Sequence, residues 1–99
     1  MSKIGIYPGT FDPMTNGHLN IIQRSLKIVD KLIIGVADNL NKKPLLSIEK
    51  RKNIIENDIY SLQQNNKKIE IHTVNGLLTD FAKKFDADCI IRGLRAVSD

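Results

Sequence analysis

An α/β fold, with a Rossmann-like parallel sheet and helices on both of its faces, is what this amino-acid sequence predicts. Three observations carry the prediction. Short apolar runs alternate with stretches of helical period from end to end in the order βαβαβαβ, a pattern that lays strands side by side through right-handed crossovers. The most apolar run, Leu32 to Ala37, has the unbroken hydrophobicity of a strand covered on both faces. Finally, 99 residues with 41% hydrophobic and 26% charged side chains make one ordinary globular domain, 1–99.

Each element follows from its own pattern. Lys3 to Tyr7 is the first strand, an apolar run that Pro8-Gly9 is expected to close. Asn16 to Val29 places Leu19, Ile22, Leu26 and Val29 on one helical face. Leu32 to Ala37 is the second strand. Ser47 is a candidate N-cap, and Ile48, Ile55, Ile59 and Leu62 continue at helical spacing toward Gln63-Gln64-Asn65-Asn66. Ile69, Ile71 and Thr73 alternate with Glu70, His72 and Val74, a strand with one less apolar face. Leu78, Phe81, Ala82 and Phe85 form a short helix whose aromatics face the core, and Asp88 to Arg92 form a fourth strand ending at Gly93. No internal repeat, low-complexity tract or linker interrupts the series. The expected strand order, 3-2-1-4, sets the loops after strands 1 and 4 side by side.

Composition excludes several classes. Fifteen Lys and Arg against eleven Asp and Glu give a net charge of +4. The lysines are scattered among acids with no block of like charges, which indicates a solvated surface with a modest bias toward small anionic ligands and no nucleic-acid face. The apolar runs are far shorter than the roughly 20 residues that cross a bilayer, so no membrane association is expected. Met1-Ser2-Lys3 leads straight into a strand pattern, and the expected compartment is the cytoplasm. A single cysteine, Cys89, supports neither a disulfide scaffold nor a Cys-based zinc site and is placed in the core.

In open parallel sheets, ligands sit beyond the carboxyl ends of the strands. The loops there are 8–16, 38–46, 75–77 and 93 onward. The first reads Gly9-Thr10-Phe11-Asp12-Pro13-Met14-Thr15-Asn16-Gly17-His18 and enters a helix whose free N–H groups and positive dipole end favour an anion. Gly9 and Gly17 let backbone approach a ligand. Thr10 offers a hydroxyl, and His18 a ring nitrogen able to donate to a phosphate oxygen. The loop is neither a Walker loop nor Gly-x-Gly-x-x-Gly. Lys42 and Arg92 would ordinarily be a solvated lysine and a strand-end salt-bridge partner, but both fall at the same strand mouths as Thr10 and His18. His72 lacks a nucleophile or metal-ligand spacing and reads as structural. Asp12, before Pro13, either approaches a metal or fixes the turn.

The first loop resembles the Thr-x-Gly-His loop of the nucleotidyltransferase superfamily. Its longer wording, Ile6-Tyr7-Pro8-Gly9-Thr10-Phe11-Asp12-Pro13-Met14-Thr15-Asn16-Gly17-His18, together with Ile91-Arg92-Gly93-Leu94-Arg95-Ala96-Val97-Ser98-Asp99, is similar to the bacterial phosphopantetheine adenylyltransferase family, with Lys42-Lys43-Pro44 in its expected place between them. The resemblance implies an enzyme of coenzyme A biosynthesis that joins ATP and 4′-phosphopantetheine to give dephospho-coenzyme A and pyrophosphate, by in-line attack without a general base. Carried over by position, it implies His18 and Thr10 as catalytic residues, and Thr10, Phe11, His18, Gly93, Leu94 and Arg95 as the ATP site. It further implies Thr10, Lys42, Leu78 and Arg92 as the acceptor site, Leu78 standing where the family places an apolar wall. It also implies Mg2+ carried on ATP without a protein ligand set, and a homo-oligomer, a hexamer in the family. The alternatives are another small nucleotidyltransferase, of the nicotinamide-mononucleotide adenylyltransferase type, or a catalytically weak nucleotide-binding fragment. Family members continue past the Arg-Gly-Leu-Arg run into a fifth strand and a phosphate-binding Ile-Ser-Ser-type loop, so the resemblance implies a domain truncated at its C-terminus with the fifth strand missing.

Overall fold

The computed structural model describes residues 3–38, 43–60, 62 and 68–92. Their elements are β1 (Ile4–Gly9), α1 (Asn16–Ser25), β2 (Lys31–Ala37), α2 (Ile48–Ile59), β3 (Lys68–Val74), α3 (Leu78–Lys84) and β4 (Cys89–Ile90). The strands form one four-stranded parallel sheet in the order β3-β2-β1-β4, as the sequence predicts. No helix among the described residues is long and apolar enough to cross a membrane.

Strand alternation sorts the side chains onto two faces. Tyr7, Leu32, Ile34, Val36 and Ile69 share one face by register and meet Ile22, Leu26, Ile55 and Ile59 in a single buried cluster under α1 and α2. Ile6 and Ile33, both fully buried, belong to the opposite face, over which α3 lies. A Cβ on Gly35 would stand 2.8 Å from Val74 Cγ2 and 3.4 Å from the Phe81 ring, so the missing side chain is what lets α3 settle on β2. Leu32, Ile33, Ile34 and Val36 are all at 0% exposure. At roughly 1.5–3 kcal/mol for each fully buried side chain, β2 is the main hydrophobic element of the sheet.

Two acids register the amino ends of the strands. Asp30, just before β2, accepts the Lys3 N–H at 2.7 Å, and Asp88, just before β4, accepts the Ile4 N–H at 2.8 Å.

The structure corrects three boundaries. Apolar spacing continues to Val29, but α1 stops at Ser25: the N–H groups of Ile28 and Val29 both return to the Ser25 carbonyl, at 2.9 and 3.0 Å. This turn delivers Val29 to the core at 1% exposure, so its place in the period records burial rather than helix. Pro8-Gly9 does not close β1, which stays paired with β2 through Gly9↔Val36. The Ile4 and Ile6 carbonyls accept N–H groups from the β4 side, and backbone groups of alternate residues point to the same neighbour. Pro8 therefore lacks its N–H on the β4 side only. That ladder ends at Ile6↔Ile90, and β4 covers only part of the Asp88 to Arg92 expected. The carboxyl ends of β1 and β4 part there, at the point where strand order reverses.

Candidate active site

β1 leads into Thr10, which is exposed, and Phe11, whose φ of 49° lies in the left-handed region that bulky residues rarely adopt. Packing holds Phe11 there. Its ring is 1% exposed, edge-on to Tyr7 at 5.4 Å and to His18 at 4.9 Å between centroids. A Cβ on Gly9 would come within 3.1 Å of the same ring. The expectation that Gly9 makes room for a ligand is thus corrected, because the Phe11 ring fills that space and has no free face of its own.

His18 sits in the first turn of α1, and Thr15 is its N-cap. The Thr15 hydroxyl accepts the His18 N–H at 3.3 Å, while the Thr15 N–H donates to His18 Nδ1 at 2.9 Å. This is a capping box with histidine in the position Glu or Gln usually takes. A ring nitrogen that accepts an N–H carries no proton, so the network assigns the ring hydrogen to Nε2. Burial pushes the imidazole pKa below its ordinary value, which favours the neutral ring. The result is a neutral Nε2–H donor held at the positive end of a helix, an arrangement suited to an anionic oxygen.

Two further residues shape the mouth. Asp12 accepts the Leu45 N–H at 2.6 Å on one carboxylate oxygen and the Leu46 N–H at 2.8 Å on the other. These bonds match neither reading its sequence allowed: the carboxylate ties the loop after β1 to the segment that enters α2. Arg51, on α2, is 3% exposed, and its Nη1 donates to the Thr10 carbonyl at 2.9 Å and the Ala37 carbonyl at 3.0 Å. The sequence reading missed it. The available signal was an arginine three residues after Ile48 and four before Ile55, inside the apolar stripe of α2.

Thr10, Phe11 and His18 are brought together at the β1–α1 junction. Arg92 is exposed two residues beyond β4, at the neighbouring strand mouth. Leu78 begins α3 half-buried, on the same edge but past the end of β3, two strands from β1. Lys42, Gly93, Leu94 and Arg95 lie outside the described residues. His72 is occupied structurally: its Nε2 is 3.0 Å from Glu70 Oε1, and its ring packs tilted against Phe85 at 4.5 Å between centroids. Among the described residues no group of three or more His, Cys, Asp or Glu side chains stands together, and both Asp12 oxygens are engaged by backbone. The described residues at this edge therefore offer no clustered ligand set of their own for a divalent cation.

The sequence profile of the cytidylyltransferase-like family matches residues 6–99. Two curated relatives named phosphopantetheine adenylyltransferase are similar over nearly all of the chain. That of Wolbachia pipientis wMel is 56% identical over 97 residues, covering 98% of this chain and 56% of its own length. That of Caulobacter vibrioides is 52% identical over 97 residues, covering 98% of this chain and 59% of its own. The chain thus spans little more than half the length of these relatives. A crystal structure of a bifunctional NMN adenylyltransferase/ADP ribose pyrophosphatase from Francisella tularensis, complexed with AMP and a manganese ion, matches with a TM-score of 0.61 at 28% identity, covering 87% of this chain and 26% of that one.

Proposed function

Because the chain belongs to the cytidylyltransferase-like family, we propose that its strand-mouth site transfers the adenylyl group of ATP to 4′-phosphopantetheine, forming dephospho-coenzyme A and pyrophosphate. The observation that carries adenylyl transfer is the neutral Nε2–H of His18, fixed by Thr15 at the start of α1 beside the switch point of the sheet. The choice of acceptor is supported by relatives of that name at 52% and 56% identity, against 28% for the NMN adenylyltransferase structure.

A phosphate monoester is mostly dianionic at neutral pH, its second pKa being about 6, so the acceptor needs no general base. Its oxygen attacks the α-phosphorus in line with the departing pyrophosphate, and negative charge spreads over the α-phosphate oxygens. His18 stabilises that charge by donating from Nε2 without surrendering the proton. The Thr10 hydroxyl, at the end of β1, serves both ligands. Arg92, with Lys42 by resemblance, holds the acceptor phosphate, and Gly93, Leu94 and Arg95 complete the ATP side. Leu78 lines the apolar wall for the pantetheine arm. Magnesium bound to the ATP phosphates would neutralise charge on the leaving pyrophosphate. The cytoplasm and a homo-oligomer complete this reading, with no nucleic-acid or membrane partner.

The test is direct. Incubation with ATP, magnesium and 4′-phosphopantetheine should yield dephospho-coenzyme A by mass spectrometry, with one pyrophosphate per product. Turnover of nicotinamide mononucleotide in its place would move the protein to the other adenylyltransferase class, and nucleotide binding without product would leave only a binding module.

A further inference from the structure

We propose that Arg51 is a positioning residue for this reaction, clamping the carboxyl ends of β1 and β2 and so fixing the Thr10–Phe11 peptide on which the site is built. The inference rests on the adenylyl-transfer reading above. The β1–β2 ladder ends at Gly9↔Val36, which makes Thr10 and Ala37 the pair that would come next. In place of a ladder bond, one guanidinium nitrogen reaches both carbonyls, at 2.9 and 3.0 Å.

A residue that merely filled space here would not be an arginine. Position 51 lies in the buried stripe of α2 with Ile55 and Ile59, at 3% exposure, where burying a charged group carries a large desolvation cost. Arg51 Nε finds no partner among the described residues, so the guanidinium is not fully compensated. Its specific gain is a donor that binds one acceptor just past β1 and another at the end of β2, which Leu or Met could not supply.

The consequence reaches the site through the backbone. A peptide unit is planar, so holding the Thr10 carbonyl holds the plane that precedes the left-handed Phe11. That plane aims the Thr10 side chain on one side and the Phe11 ring on the other, and the Phe11 ring is the seat of His18 at 4.9 Å. Release of the clamp therefore displaces two site residues together without removing a ligand contact. Misplacement of about 1 Å in a reacting arrangement can lower turnover about 100-fold.

The experiment compares Arg51→Met and Arg51→Gln with the wild-type protein. Turnover is normalised to folded protein by circular dichroism, and the 13C carbonyl shifts of Thr10 and Ala37 are followed by NMR. Expected is a fall in kcat of about 10- to 100-fold, with the KM for ATP and for 4′-phosphopantetheine within about threefold of wild type and both carbonyl shifts changed. A loss of folded material alone would vanish on normalisation. If Arg51→Met does not fold, Arg51→Gln, whose amide is too short to reach both carbonyls, decides alone by the same readouts. A folded variant with kcat within twofold of wild type overturns the proposal while the adenylyl-transfer reading stands. Absence of turnover in the wild type overturns that reading and this proposal with it, and changed carbonyl shifts in the variants would then identify the clamp as purely architectural.

Discussion

His18 is useful to the site only while Thr15 occupies its Nδ1. The Thr15 N–H at 2.9 Å and the Thr15 hydroxyl at 3.1 Å both converge on that nitrogen, so protonation there would set donor against donor and open the capping box. Two expectations follow from this contact. His18→Ala should keep the fold and nucleotide binding yet lower turnover by at least about 100-fold, the scale of losing one donor to a developing oxyanion. Near-normal pyrophosphate release would remove His18 from the chemistry. The second concerns pH. Because burial lowers the His18 pKa, the neutral donor persists below the ordinary imidazole value of about 6.5, and the acid limb of kcat should fall below that value. An acid limb above 6.5 would contradict the assignment. Thr10 and His18 stood out in the sequence because they share one short strand-to-helix loop with a chemical logic, whereas Phe11 entered by resemblance alone. Arg51 was not readable, since an arginine in an apolar stripe looks like a polar gap until the two carbonyls it serves, one on either side of a strand ladder, are seen in space. Asp12 stayed ambiguous for the same reason, its partners Leu45 and Leu46 being more than thirty positions away.

At the level of elements, period and propensity located the strands and helices of the described residues, and the errors fell where tertiary contacts override them. Val29 kept the helical period although α1 had ended, because burial rewards an apolar residue whatever its backbone does. Pro8 looked like the end of β1 because a proline stops a ladder, but a strand in mid-sheet has two ladders and Pro8 stops one. The glycines of the strands were the least legible feature. Gly35 carries no motif, yet a Cβ there would lie 2.8 Å from a stiff valine branch and 3.4 Å from Phe81. Gly35→Ala should therefore destabilise the protein by about 1–3 kcal/mol through overpacking, measured by urea unfolding, and should loosen α3 first, seen as faster amide exchange in α3 than in α1. An alanine variant of unchanged stability would show that α3 can lift without cost. By contrast, Ser47, legible as an N-cap, accepts the Lys50 N–H at 3.2 Å, and Ser47→Ala should cost about 1 kcal/mol with turnover unaffected.

At the scale of the whole molecule, three shifted groups among the described residues bound the pH range in which fold and site agree. Glu70 is held below its ordinary pKa first by its hydrogen bond with His72 and then by Lys31, and His18 is lowered by burial. A group whose folded pKa is depressed binds more protons unfolded than folded, so stability is lost as pH falls from the unfolded value through the folded one. For His18 that loss begins near 6.5, and for Glu70 near 4.5. The Glu70 step should be the smaller because the carboxylate is partly exposed and screened. Tyr7 has the opposite sign: burial raises its phenol above 10.0, so its contribution is full below 10.0 and is lost as pH rises through the folded value. The melting temperature should accordingly form a plateau between about pH 6.5 and 10 with a shoulder on each flank. His18→Ala should remove the upper acid shoulder, Glu70→Gln the lower one, and Tyr7→Phe the alkaline one. A melting temperature that rises as pH drops from 7 to 5 would contradict the sign for His18. The proton state of His18 that stabilises the fold is also the one that leaves Nε2–H as donor and Nδ1 as acceptor, so stability and turnover should fall together on the acid side. On the alkaline side the Tyr7 step belongs to stability, because its ring packs edge-on against Phe11 and ionising the phenol would charge a group that burial keeps neutral.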